Sequence, residues 1–243
     1  VPQPWSVIAQ NLPEHARNPI HTDAGAQHAG FPRALVAGVT TYAYLTHPIA
    51  TAWGIDWIRR GGAEIRFRRP VFDRDELRCV PITDPAADSE SVAVMVHAIT
   101  DEPDQPHAIL KAIPNAGPPL AMRPGESLPD KRIHLIGEWS SDYGARAGDS
   151  FALYEEHGIV HPAVWPALAN HVVHTLVARG SWIHTRSIVR HHDTAAAGSV
   201  AFVHAAVVRR FESHGERAIL DVHIEVDGVL VASLEHEAIV ALP

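Results

Sequence analysis

Asn18-Pro19-Ile20-His21-Thr22-Asp23 places one titratable ring in a polar turn, just ahead of a long apolar stretch. Asn-Pro initiates turns, and proline biases the residue before it away from helical backbone. Leu35 to Ala52 is nearly uncharged and long enough for a buried helix. Histidine titrates near neutral pH and passes protons in either direction. A buried helix start leaves backbone N–H groups free for a ligand oxygen. Together these features point to proton transfer at a substrate anchored by its oxygen, with His21 as the acid/base group. Asn18, a poor acid or base, is expected to orient the turn.

The elements that must position this pair follow from periodicity. Trp5–Gln10 reads as a short strand, and the Leu35–Ala52 helix is interrupted by Pro48. Ala63–Arg69 alternates apolar and charged residues, the period of a half-buried strand. Leu77–Ile82, Ser91–Ile99 and Ala108–Ile113 read as further strands, with a hairpin turn at Asp101–Gln105. Pro114–Lys131, rich in Pro and Gly, is a linker not expected to hold regular structure. Beyond it the order repeats: an apolar helix over Val164–Ala178, a strand over Trp182–Ile188, then strands Ser199–Phe211, Arg217–Val226 and Leu230–Val240. Asp227-Gly228 is a strong hairpin signal. The expected organisation is an internally duplicated α+β chain, residues 1–113 and 132–243 joined by a linker over 114–131.

The Asn18-Pro19-Ile20-His21-Thr22-Asp23 turn, the Gly30-Phe31 step and the Leu35-Val36-Ala37-Gly38 segment resemble the MaoC-like family of R-specific enoyl-CoA hydratases and dehydratases. That resemblance implies a double hotdog, each half wrapping a long helix in an antiparallel sheet and pairing with its twin within one chain. It implies hydration or dehydration at the 2,3-position of an acyl chain carried on CoA or a carrier protein, in fatty acid or polyketide metabolism. His21 would be catalytic, and the Gly38 N–H would hold the thioester oxygen. The family's motif carries an aspartate two residues before the asparagine, where this chain has Ala16. Asp23 is the candidate replacement, with turn capping as its alternative role; Glu14 and His15 flank the vacant position. Ala16 is expected to face the pocket beside His21.

In the second half, His161-Pro162 followed by Pro166 and Asn170 resembles the histidine stretch of polyketide synthase dehydratases, again without its aspartate. His161 and Asn170 are therefore expected to line the substrate pocket, with Trp165 and His171 as further candidates. His184 lies on an alternating strand and receives no role. Arg68, with Arg66 and Arg69, is a candidate contact for a cofactor phosphate, the alternative being a solvated strand face.

Composition removes other classes. The 243 residues carry a net charge of −8, which gives no support to nucleic-acid or anionic-membrane binding. One cysteine, Cys79, excludes an internal disulfide and fits a reducing compartment. No membrane-spanning run or basic-then-apolar leader is present, so a soluble cytoplasmic protein is expected. The 18 histidines are scattered without metal-ligand spacing, and neither a metal nor a cofactor is expected. Two alternatives share the pocket: thioester hydrolysis or cyclisation of a polyketide-like substrate, and a non-catalytic thioester-binding subunit. A homodimer is compatible with either.

Overall fold

The computed structural model describes residues 1–82, 94–100 and 104–242. Among these, eleven strands form one antiparallel sheet. The first half contributes β1 (Trp5–Ile8), β2 (Gly62–Phe67), β3 (Glu76–Ile82), β4 (Val94–Ile99) and β5 (Ala108–Ile113). The second contributes β6 (Glu126–Ser127), β7 (Lys131–His134), β8 (Ile183–His191), β9 (Val200–Glu212), β10 (Glu216–Val226) and β11 (Val229–Ala241). The halves meet where β2 pairs with β8, Ile65 opposite Ser187 and Arg66 opposite Arg186. Outward from this seam the orders are β2-β5-β4-β3-β1 and β8-β11-β10-β9, with β6 and β7 both pairing β9. Each half thus lays down the same topology, which is the duplication expected of a double hotdog.

The helices are α1 (Asp23–His28), α2 (Gly38–Arg60), α3 (Tyr143–Arg146), α4 (Leu153–Glu156) and α5 (Val164–Val172). α2 packs against β1 to β5 of its own half and against β8 and α5 of the other. Every residue from Val39 to Thr46 is buried, so the helix has no polar stripe to betray its period. It begins at Gly38 rather than Leu35. The three residues before it are held extended, because Leu35 bridges Phe72 and the Val36 N–H donates to the Val71 carbonyl at 2.8 Å. It also runs past Pro48 and Ala52 to Arg60, its regularity broken at Gly54, where φ is 62°. α5 is shorter than the expected Val164–Ala178 helix and widens into a π turn over Val173–Val177.

Two further expectations are corrected or bounded. The proline-rich stretch does hold regular structure, since β6 pairs with β9 through Glu126 and Ser127. Side chains pin the same stretch: Leu120 N–H donates to Ser233 Oγ at 2.9 Å, and Arg123 Nε to Asp221 at 2.8 Å. The start of the strand expected from Ser91, and part of the Asp101–Gln105 turn, lie outside the described residues. At the β10–β11 turn, Asp227 and Gly228 both have positive φ, 52° and 76°, as a type I′ hairpin requires. No helix among the described residues is long and apolar enough to cross a membrane.

Candidate active site

The turn around His21 is built from consecutive i→i+3 backbone bonds: His15 N–H to Leu12, Asn18 N–H to His15, and His21 N–H to Asn18. Two short 3-10 turns, Pro13–Arg17 and Pro19–His21, meet at the extended and buried Asn18, with His15 and His21 partly buried on either side of it. Ala16 is exposed and lines neither cavity described below. The expectation that it faces the pocket is thereby corrected; the residue brought beside His21 is His15, with ring centroids 5.8 Å apart.

Asn18 and His21 border a cavity of about 270 Å³ at the seam between the halves. Asn18, His21, Val36, Gly38 and Thr41 line it from the first half, and Asn170, Trp182, His184 and Thr185 from the second. Asn18 is almost fully buried and staples the halves: its Nδ2 donates to the Trp182 carbonyl at 2.9 Å, and the Trp182 N–H returns to its Oδ1 at 3.4 Å. Arg68, Arg69 and Arg217 also line it, and among the described residues no carboxylate does. Arg217 is paired with Glu237 at 2.6 Å, whereas Arg68 forms no ion pair among the described residues. Arg66 is paired with Glu64 at 2.7 Å and does not line the cavity.

His21 Nδ1 lies 2.8 Å from the Leu35 carbonyl. Only an N–H makes that bond, so the proton sits on Nδ1 and the Nε2 lone pair is free. Burial lowers the ring's pKa to about 4, the Leu35 bond opposing part of that shift. His21 is consequently neutral at pH 7, the state a general base requires. Gly38 is the first residue of a 23-residue helix with no side-chain cap, and its N–H has no partner within the helix. A Cβ there would come 3.2 Å from the Phe67 ring and 3.4 Å from His184 Nδ1; glycine keeps that approach open.

A smaller chamber of about 40 Å³ adjoins the cavity, sharing Asn18, His21, Asn170 and Trp182 with it. That volume suits about one or two waters. His15, Tyr143, His171 and Glu14 also line it. Thr40 Oγ1 and the Tyr143 hydroxyl are 2.9 Å apart, and His15 Nε2 is 3.1 Å from the same hydroxyl. Burial lowers His15 to about 3, with the His21 ring adding to the shift. Glu14 is engaged by Arg146 and Glu138 by Arg17, so both carboxylates of the chamber are paired. The Asn170 Oδ1 is buried with no hydrogen-bond partner.

Three sequence candidates lie elsewhere. Asp23 is exposed at the first turn of α1, where its Oδ1 accepts the Ala34 N–H at 2.8 Å; it tethers the loop and is absent from the lining. His161 is fully buried, its Nδ1 accepting the Ala163 N–H at 3.0 Å beneath α5, and its ring packs 4.2 Å from that of Tyr154. It caps a helix instead of lining the pocket. Trp165 is buried core.

Sequence reasoning missed a buried polar chain behind the cavity. His184 Nε2 is 2.8 Å from Ser187 Oγ, which is 2.8 Å from His236 Nδ1. Strict alternation would put residues 184 and 187 on opposite faces. The pairing of β8 with β11 shifts register between Glu237 and Ala238, opposite Arg186 and His184, which leaves Thr185 as an extra residue. That bulge turns His184 to the inner face occupied by Ser187, Val189 and His191.

No family model matches the sequence, and no curated protein matches it. Solved structures do match over nearly the whole chain. A Chloroflexus aurantiacus J-10-fl protein described as a MaoC domain dehydratase superposes with TM-score 0.65 at 11% identity, covering 100% of this chain and 96% of the other. A conserved Mycobacterium tuberculosis protein with a double hotdog fold gives TM-score 0.63 at 12% identity, over 98% and 96% of the two chains. An acyl-CoA thioesterase II from Mycobacterium marinum gives TM-score 0.52 at 13% identity, over 86% and 91%. At these identities the likeness is one of fold: the chain is a double hotdog.

Proposed function

We propose that this protein adds water to, or removes it from, the 2,3-position of an acyl chain held as a thioester. One observation carries this: the free Nε2 lone pair of His21 and the uncapped N–H of Gly38 line the same cavity. In hydration, the Gly38 N–H holds the thioester oxygen and draws electron density from the double bond. His21 Nε2 takes a proton from water as the water oxygen bonds to C3. The π pair moves onto the thioester oxygen as an enolate. His21 then returns its proton to C2, and the enolate collapses to the carbonyl. One base thus carries the proton throughout, which suits a lining with no carboxylate among the described residues. Asn18 orients the turn, and the unpartnered Asn170 Oδ1 accepts from the water or product hydroxyl. Arg68, Arg69 and Arg217 at the same cavity suit the phosphates of CoA or a carrier-protein arm.

The same missing carboxylate favours a second reading, internal addition of a substrate hydroxyl to the enoyl thioester. Cyclisation supplies its own nucleophile and needs one acid/base group and a shaped cavity. The test is incubation with a crotonyl pantetheine thioester and with a longer enoyl thioester bearing a terminal hydroxyl, following enoyl absorbance and free thiol. Loss of absorbance without thiol on the crotonyl substrate supports hydration, and loss on the hydroxylated one alone supports cyclisation. Thiol release in step with turnover would replace both with hydrolysis.

A further inference from the structure

We infer that His184 is a second hydrogen-bond donor to the substrate carbonyl oxygen, acting beside the Gly38 N–H and held in position by Ser187 and His236. This rests on the thioester reading above. His184 is 6% exposed, lines the cavity, and its Nδ1 has no hydrogen-bond partner. That nitrogen lies 3.4 Å from the point where a Gly38 Cβ would sit. The two groups thus border the same corner of the cavity, beside the uncapped start of α2.

The chain behind His184 sets which nitrogen carries the proton. Ser187 and His236 are directly opposite on β8 and β11, and both are fully buried. Ser187 has one hydroxyl proton, so it donates to one imidazole and accepts from the other. When it donates to His184 Nε2, the His184 proton lies on Nδ1, facing the helix start. His236 then donates its own Nδ1–H to Ser187, and its unpartnered Nε2 keeps a lone pair. The reverse direction aims a His184 lone pair at the carbonyl oxygen and buries an unpaired His236 N–H. A bound carbonyl selects the first arrangement. Burial also keeps both rings uncharged, lowering His236 to about 3 and His184 well below its ordinary value, the His236 ring adding to the His184 shift and a contact with the Arg186 carbonyl opposing it. A neutral imidazole beside a helix N-terminus is a known way to polarise a carbonyl.

A purely structural role explains these features less well. Buried ring nitrogens without partners also occur at His161 and His191, but among the described residues His184 Nδ1 is the one that belongs to a residue lining the main cavity. The bulge at Thr185 also turns His184 inward, onto the face that borders the cavity.

The test measures the carbonyl stretch of a crotonyl pantetheine thioester, carbon-13 labelled at C1, bound to wild type, His184→Phe, His184→Gln and Ser187→Ala. Thermal melting establishes folding, and the Gln and Ala variants read the same effect if the Phe variant does not fold. The expected result is a bound stretch lowered in wild type and raised towards the free value in His184→Phe. Turnover should then fall about a hundredfold to a thousandfold with KM little changed, the usual effect of losing one such donor. His184→Gln should recover part of both, and Ser187→Ala should raise the stretch by a smaller amount. A folded His184→Phe or His184→Gln whose bound stretch matches wild type overturns the role of His184 while leaving the thioester reading intact. A wild-type protein that neither binds nor turns over the thioester removes that reading and this inference with it.

Discussion

The 2.8 Å bond between His21 Nδ1 and the Leu35 carbonyl ties the acid/base ring to the last extended residues before α2. One contact therefore fixes both the tautomer of His21 and its placement relative to the Gly38 N–H. Because burial holds the ring near pKa 4, its basic form persists well below neutrality. The acid limb of kcat/KM in the free enzyme is expected near pH 4, with a plateau from about pH 5 upward. A limb near pH 6.5 would mean that His21 titrates as a solvated histidine.

Acid should also destabilise the fold early. Burial lowers His15, His161 and His236 to about 3, and His21 and His191 to about 4. In the unfolded chain these rings titrate near 6.5, so between roughly pH 6.5 and 4 the unfolded state binds more protons. Stability is present above that window and falls as pH drops through it, by up to about 1.4 kcal/mol per histidine per pH unit. Urea midpoints should decline clearly from pH 7 to pH 5. A constant midpoint over that interval would contradict the buried neutral state of these rings.

Asn18→Ala removes both hydrogen bonds to Trp182 and leaves that buried backbone amide and carbonyl without their partner. A loss of about 1–3 kcal/mol in unfolding free energy is expected, together with reduced turnover as the His21 turn loosens from β8. Unchanged stability would show that the two halves are held in register without this staple.

Ala16 and Asp23 separate what the sequence displays from what it conceals. The Asn-Pro-Ile-His motif, the duplication and the hairpin turns announce themselves through spacing and through residues such as Gly228 that only certain turns accept. The run of i→i+3 backbone bonds is less visible, because it passes through Leu12, His15, Asn18 and His21, a mixture of apolar and polar residues. His184 is hidden for a different reason: the bulge at Thr185 arises from pairing with β11, which lies about fifty residues away in sequence. The start of α2 is hidden as well, because Leu35 and Val36 are apolar yet are held extended by Phe72 and Val71. Asp23→Ala should cost about 1 kcal/mol of stability through the lost Ala34 contact, with turnover unchanged, and Ala16→Asp should leave the rate as it is. A folded Asp23→Ala variant with a large loss of turnover would return that carboxylate to the chemistry.

The most direct measurement is the turnover of His21→Ala on an enoyl thioester that the wild-type protein hydrates, with binding of the same thioester measured alongside. His21 is predicted to supply the usual worth of a general acid/base group, so kcat should fall about a hundredfold to ten-thousandfold. Binding should change little, since the Gly38 N–H and the arginines remain. A correctly folded His21→Ala variant that binds the thioester and turns it over at the wild-type rate would contradict the account.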